Sequence, residues 1–123
     1  MHALDAVRVL DLSRVLAGPW CTQNLADLGA DVIKIERPGS GDDTRGWGPP
    51  FLRDDDGVET GEAAYYLGTN RNKRSVTCDI ARPEGQGMVR DLVRHCQVVI
   101  ENFKVGDMAR YGLDYAGLQA IHA

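Results

Sequence analysis

Hydrophobic residues in this chain come in short bunched runs separated by longer mixed stretches. Val7, Val9, Leu10 and Leu12 fall within six positions and leave no polar face, as a parallel strand covered by helices on both sides requires. Val32, Ile33 and Ile35 make a second run, closing on Glu36-Arg37. Ser75 to Cys78 and Gln97 to Glu101 read as third and fourth strands. Between the first two runs, Pro19 suits a first helical position, Cys21, Leu25 and Leu28 recur at i, i+4, i+7, and Gly29 supplies a left-handed stop. Asn24 falls beside that stripe and makes it imperfect. Pro83-Glu84 opens another helix, with Met88, Val89, Leu92, Val93 and Cys96 on one face and Gly85 and Gly87 weakening its start.

Residues 37–62 break the pattern, with six glycines, three prolines and the run Asp54-Asp55-Asp56 around Trp47 and Phe51. They read as one long irregular loop, and loops beyond ~15 residues in a compact domain are usually functional or disordered. Ala63 to Leu67 reads as a short helix, Asn102 to Gly112 as a turn-rich connector and Tyr115 to Ile121 as a last helix. The order β-α-β, loop, β-α-β, α predicts a Rossmann-like α/β fold, a mostly parallel sheet with flanking helices. Four strands ending in a helix read as an incomplete part of a larger domain.

Composition narrows the function more than the fold. Apolar residues make up 43% and charged residues 26%, and the net charge of -4 argues against a dedicated nucleic-acid or anionic-membrane binder. Cys21, Cys78 and Cys96 are odd in number and widely spaced, which fits free thiols in a reducing compartment. Asp5, Arg8, Asp11 and Arg14 interrupt the amino-terminal apolar stretch, so no signal-peptide core can be drawn there. No segment approaches the ~20 apolar residues of a membrane span, and the expected location is cytoplasmic.

Candidate chemistry gathers where the strands end. The first loop, Ser13 to Pro19, lacks both GxGxxG and GxxxxGK[ST]. Gly18 either relieves a tight turn or opens a helix mouth whose free N–H groups face an anion, with Arg14 beside it. Glu36 stands where dinucleotide folds place a ribose-binding acid, and Arg37 offers a fork that matches phosphate oxygens; both could equally be solvated loop charges. Asn70 to Arg74 carries three cations in five residues, read either as a solvated face or as a ligand edge. After the fourth strand, Asn102-Phe103 could read and stack on a base, or Phe103 could plug the core, while Lys104 and Arg110 add charge. His2, His95 and His122 and the acidic run show no metal-ligand spacing, and no serine lies in a nucleophile elbow. Asp11 and Asp79 read either as strand-end caps or as groups that orient backbone or bind a cation. The chain looks like a binding half without its catalytic half.

Several of these stretches resemble a known family. Val9-Leu10-Asp11-Leu12-Ser13 with Ala17-Gly18-Pro19, Leu28 to Pro38, Gly39 to Gly46, Asn72-Lys73-Arg74-Ser75, Pro83-Glu84-Gly85, and Glu101-Asn102-Phe103 with Gly106 and Arg110 resemble the amino-terminal part of the family III CoA-transferases. That group includes formyl-CoA:oxalate and carnitine-CoA transferases and the α-methylacyl-CoA racemases. The resemblance covers essentially all residues 1–123 and implies the CoA-binding part of a larger domain.

By that resemblance Arg14, Val15, Leu16 and Ala17 line the CoA site, with Arg37 and Arg110 near its phosphates. Lys73 and Arg74 join the same edge, and Asn102 and Phe103 sit by the adenosine. Lys104-Val105 departs from the family's more familiar arginine- or glycine-proline pair before Gly106. The implied substrates are coenzyme A or an acyl-CoA and a small carboxylic acid, with no metal, no nucleic acid and no membrane. The implied assembly is an interlaced homodimer of chains about three times this length. In the transferases an aspartate attacks the acyl-CoA; in the racemases a histidine and an acid exchange the α-proton. Both centres lie past Ala123 by that resemblance, so no residue here is assigned as catalytic and the isolated segment is expected to be inactive. A racemase fragment and a non-catalytic CoA-binding or assembly module are the alternatives.

Overall fold

The computed structural model describes residues 1–122. Strand β1 (Arg8–Asp11) leads through helix α1 (Ala17–Asp27) to β2 (Asp31–Glu36). A short 3-10 turn (Asp43–Gly46), a hairpin of β3 (Phe51–Arg53) and β4 (Glu59–Ala63), and helix α2 (Ala64–Thr69) lead on to β5 (Lys73–Thr77). Helix α3 (Pro83–Val93) returns the chain to β6 (Val98–Ile100), followed by the short helices α4 (Asp107–Arg110) and α5 (Tyr115–Gln119).

The main sheet has four strands in the order β5-β2-β1-β6, and every pairing is parallel. Val9 lies opposite Val32 and Val98, and Leu10 opposite Ile33 and Val99. The chain lays β2 and β5 on one side of β1, then crosses to place β6 on the other. The order therefore reverses between β1 and β6, and in open α/β sheets ligands bind outside the strands' carboxyl ends at such a switch.

Because side chains alternate along a strand, the register divides the sheet into two unlike faces. One face is apolar: Leu10, Leu12, Ile33, Ile35 and Cys78 pack with Val89 and Val93 of α3, with Met108 and Leu118 of the last two helices, and with Leu113. The other begins apolar at Val9 and Val32, which meet Ala26 and Ala30. Toward the carboxyl ends it becomes polar, with Asp11, Lys34 and Glu36 all buried.

That polar face changes how α1 sits. The expected stripe of Cys21, Leu25 and Leu28 is not the inward one: Cys21 and Leu28 are exposed and Leu25 is half-buried. Gly18, Pro19, Thr22, Gln23 and Ala26 face the protein instead. Thr22 donates to Asp11 at 2.5 Å, and the Gln23 amide donates to the Gly68 carbonyl and accepts from the Arg71 N–H. The sheet beneath α1 offers charged partners, so the helix turns its polar side inward. Gly18 is needed for closeness, since a Cβ there would lie 2.1 Å from the Ser13 Cβ. The helix starts at Ala17, so Pro19 is its third residue, still in the first turn where an N–H has no intrahelical acceptor.

The irregular loop expected over 37–62 is corrected too. It contains the 3-10 turn and the β3-β4 hairpin, whose strands are antiparallel. Asp54 accepts from the amides of Asp56 and Val58, and Gly57 takes a φ of 78°, so the acidic run is a turn. The connector after β6 holds α4, and Met88 on α3 is exposed rather than buried. Strand β5 begins at Lys73, two residues before the expected start at Ser75, because it pairs from Val32 onward along β2.

Candidate functional site

The chain leaving β1 forms a loop, Ser13 to Leu16, that crosses the carboxyl edge before α1 begins. Asp11 is fully buried and organises the loop's start: Oδ1 accepts from the Ser13 amide at 2.9 Å and from the Ser13 hydroxyl. Its Oδ2 accepts from Thr22 and, at 3.1 Å, from Lys73 Nζ. Lys73 Nζ also donates to the Pro19 carbonyl and to Asn70 Oδ1, both at 2.9 Å. Burial pushes this amine down to about 8, with Asp11 acting in the opposite direction.

Lys34 makes the second buried pair. Its Nζ donates to Asp42 Oδ2 at 2.9 Å and to the Ser13 carbonyl at 3.1 Å, with both side chains essentially inaccessible. Asp42 also accepts from the amide and hydroxyl of Thr44 and, at 3.3 Å, from the Val15 amide. Burial would raise the Asp42 pKa, but Lys34 and Thr44 outweigh it and hold the carboxyl below its usual range. Glu36 accepts from the Asp42 amide, Arg45, Tyr66 and Ser75. Burial opposes its ionisation too, yet these donors bring its pKa to about 2. Among the described residues no buried side-chain nitrogen or oxygen lacks a partner.

Above this buried layer lies a shallow cleft lined by Leu12, Ser13, Arg14, Arg37, Gly41 and Phe103, among others. The Arg14 guanidinium stacks over the Phe103 ring, 4.7 Å from its centroid. Asn102 grips the Arg14 backbone at both ends, accepting from its N–H at 2.9 Å and donating to its C=O at 2.7 Å. Arg37 is half exposed and pairs with Asp43, whose other oxygen lies 4.0 Å from Arg14. The edge thus presents two cations, one aromatic ring and a single carboxylate between the cations.

The site residues expected from sequence are distributed unevenly. Arg14, Arg37 and Phe103 line the cleft, while Asn102 and Val15 are built into the loop beside it. Leu16 is the exposed residue preceding α1, and Ala17 is its first residue. Lys73 points inward, with its bonds made inside the protein. Arg74 pairs with Asp31 at the amino end of β2, at the opposite end of the strands from the cleft. Arg110 is largely exposed and pairs with Asp107 on its own helix, neither of them lining the cleft. Phe103 shares both readings considered for it, packing against the apolar cluster while its ring carries Arg14.

Lys34, Asp42 and Asp43 join the site although no ligand-binding motif in the sequence marks them. The spacing of Asp42 and Thr44 was the available signal, since an aspartate two residues before a threonine favours the Asx turn seen here. Among the described residues no three His, Cys, Asp or Glu side chains come together as metal ligands, and no helix is long and apolar enough to cross a membrane.

A parallel sheet in the order β5-β2-β1-β6, with helices on its faces and a cation-bearing cleft at its carboxyl edge, defines a Rossmann-like α/β domain. The chain belongs to the CoA-transferase family III, whose sequence profile matches residues 4–123. It is 58% identical over 119 residues to a succinate–glutarate CoA-transferase of Agrobacterium fabrum, covering 97% of this chain and 30% of that protein. It is 48% identical over 118 residues to the human succinyl-CoA:glutarate CoA-transferase, covering 96% of this chain and 25% of that one. A formyl-CoA:oxalate CoA-transferase of Rhodopseudomonas palustris is 48% identical over 120 residues, 98% of this chain and 27% of that protein. The crystal structure of a CaiB/BaiF family protein from Brucella suis superimposes with a TM-score of 0.89 at 54% identity, over 98% of this chain and 31% of that one. The chain therefore spans about a quarter to three-tenths of the length of relatives it matches.

Proposed function

We propose that this segment binds coenzyme A or an acyl-CoA at the carboxyl edge of its sheet. In the protein at its natural length it serves the transfer of CoA between small carboxylic acids. The observation that carries the reading is the cleft beside β1 and β2, where Arg14 lies on Phe103 and Arg37 stands opposite. A guanidinium suits phosphate oxygens, and one held flat on an aromatic ring also offers a planar surface against which a base can stack. The transferase names of the relatives described above favour transfer over racemisation.

In this reading the segment binds and orients, and the group that attacks the thioester lies outside it. Arg37 and Arg14 hold phosphate, Arg110 reaches a phosphate from α4, and Asn102 fixes the loop that displays Arg14. Lys73 and Arg74 serve the edge indirectly, Lys73 by neutralising Asp11 beneath the loop and Arg74 by tying β5 to β2 through Asp31. The reading assigns no metal. It takes residues 1–123 as one CoA-binding part of a larger domain, in a cytoplasmic homodimer that engages neither nucleic acid nor membrane. Exposed Trp20 on α1, exposed Leu28 just after it and three free cysteines are in keeping with that setting.

Calorimetric titration of the natural-length protein with CoA and with dephospho-CoA, for wild type, R37A and R110A, tests the site. Charge-assisted phosphate contacts are worth ~1.5–3 kcal/mol, so each variant should bind CoA at least about tenfold more weakly. Unchanged affinity in both variants would overturn this site.

A further inference from the structure

Five consecutive backbone polar groups in the first loop are held by side chains, one by nearby Asp11 and four by residues at least 21 positions away. Asp11 takes the Ser13 N–H, Lys34 the Ser13 carbonyl, Asn102 both the N–H and the carbonyl of Arg14, and Asp42 the Val15 N–H. With these five groups fixed, the stretch from Ser13 to Val15 has little freedom to change shape. One residue in it also resists that shape. Val15 has a φ of 70°, a left-handed conformation that a β-branched side chain adopts only under constraint.

We propose that the buried Lys34–Asp42 pair is the positioning device of the CoA site, holding Val15 left-handed and so fixing where Arg14 is displayed. This rests on the CoA-binding reading above and adds to it two residues whose side chains are sealed in the floor of the cleft. Lys34 and Asp42 bracket the turn, one fastening the carbonyl before Arg14 and the other the amide after it. Their own bond at 2.9 Å locks the two fastenings together in a place water cannot reach. Thr44 steadies Asp42 through its amide and hydroxyl, so the 3-10 turn and the loop move as one unit. Binding then requires no loop ordering, which is the general route by which preorganisation raises affinity.

The test uses the natural-length protein with D42N, D42N/V15G and T44V, read by amide hydrogen exchange at residues 13–16 and by CoA titration. D42N is expected to speed exchange at Val15 while β1 and β2 stay protected, and to weaken CoA binding about tenfold, the order of a released backbone strain. Glycine adopts a positive φ freely, so D42N/V15G should recover much of that affinity. T44V keeps the charge pair and guards against a D42N protein that does not fold; it should show the same changes at smaller size. Unchanged Val15 exchange and CoA affinity in T44V, or failure of V15G to restore a folded D42N, would overturn the positioning role. A wild-type protein that binds no CoA overturns the binding reading instead, while the exchange measurement still decides whether the pair holds the loop.

Discussion

Asp43 is the counter-ion of Arg37, and it also approaches Arg14 across the cleft mouth. The carboxylate therefore occupies the space between two cations where the proposed reading puts a phosphate. Both partners are substantially exposed, so the pair adds at most about 1 kcal/mol to stability.

Removing that charge should favour the ligand. D43N is expected to leave thermal stability nearly unchanged and to tighten CoA binding by roughly threefold, since the phosphate no longer competes with an internal anion. Titration of CoA into both proteins at equal ionic strength measures it. Weaker binding by D43N would mean that Asp43 orients Arg37 productively rather than occupying its place.

Asn102 offers a different kind of test, because it acts on backbone rather than on charge. N102A deletes two hydrogen bonds to Arg14, each worth about 1 kcal/mol, and should reduce CoA affinity roughly tenfold. N102D keeps one acceptor but turns a carboxylate oxygen toward the Arg14 carbonyl, and should bind more weakly still. Equal affinities for N102A and wild type would remove Asn102 from the site.

Acid stability should depend on Glu36. Its folded pKa of about 2 lies below the ordinary 4.5, so between these values the unfolded chain binds the extra proton. The stabilisation from this group is complete above about pH 4.5 and is lost as pH falls toward 2, with depressed Asp42 adding to the same trend. Denaturant unfolding at a series of pH values should show that slope in wild type and a flatter one in E36Q, which has no carboxyl to protonate. An equally steep curve in E36Q would assign the slope to other acids.

Two glycines of α3 should respond to alanine with opposite signs. At Gly85 a Cβ would lie 1.9 Å from the Asp79 carbonyl oxygen, so G85A must displace backbone and lower the melting temperature. At Gly87 nothing lies within 4 Å, and G87A should stabilise the helix by about 0.5–1 kcal/mol. Thermal melts of the pair decide it, and a stabilised G85A would mean that α3 and the Asp79 turn can separate cheaply.

Strands β1 and β2 and the helix from Pro83 were legible because their burial follows hydrophobicity. Leu10, Leu12, Ile33, Ile35, Val89 and Val93 announce the face they build. The orientation of α1 was not legible, because its inner residues Thr22 and Gln23 serve buried charges that no local pattern reveals. Lys73 read as a ligand cation for the same reason: its partner Asp11 lies 62 positions earlier in the chain. The cleft residues Arg14, Arg37 and Phe103 were found by their place after strands. The grip of Asn102 on Arg14 spans 88 positions and emerges only once β1 and β6 are paired.

The two unlike faces of the sheet also divide the tolerance of the chain to change. On the α3 side, aliphatic residues can exchange for one another if volume is kept, so drift there erodes cohesion gradually. On the α1 side, each ionic or amide group is tied to several specific partners, so replacements must occur in matched sets or not at all. A library randomised separately on the two sides would yield graded melting temperatures from the first and nearly all-or-none ligand recognition from the second.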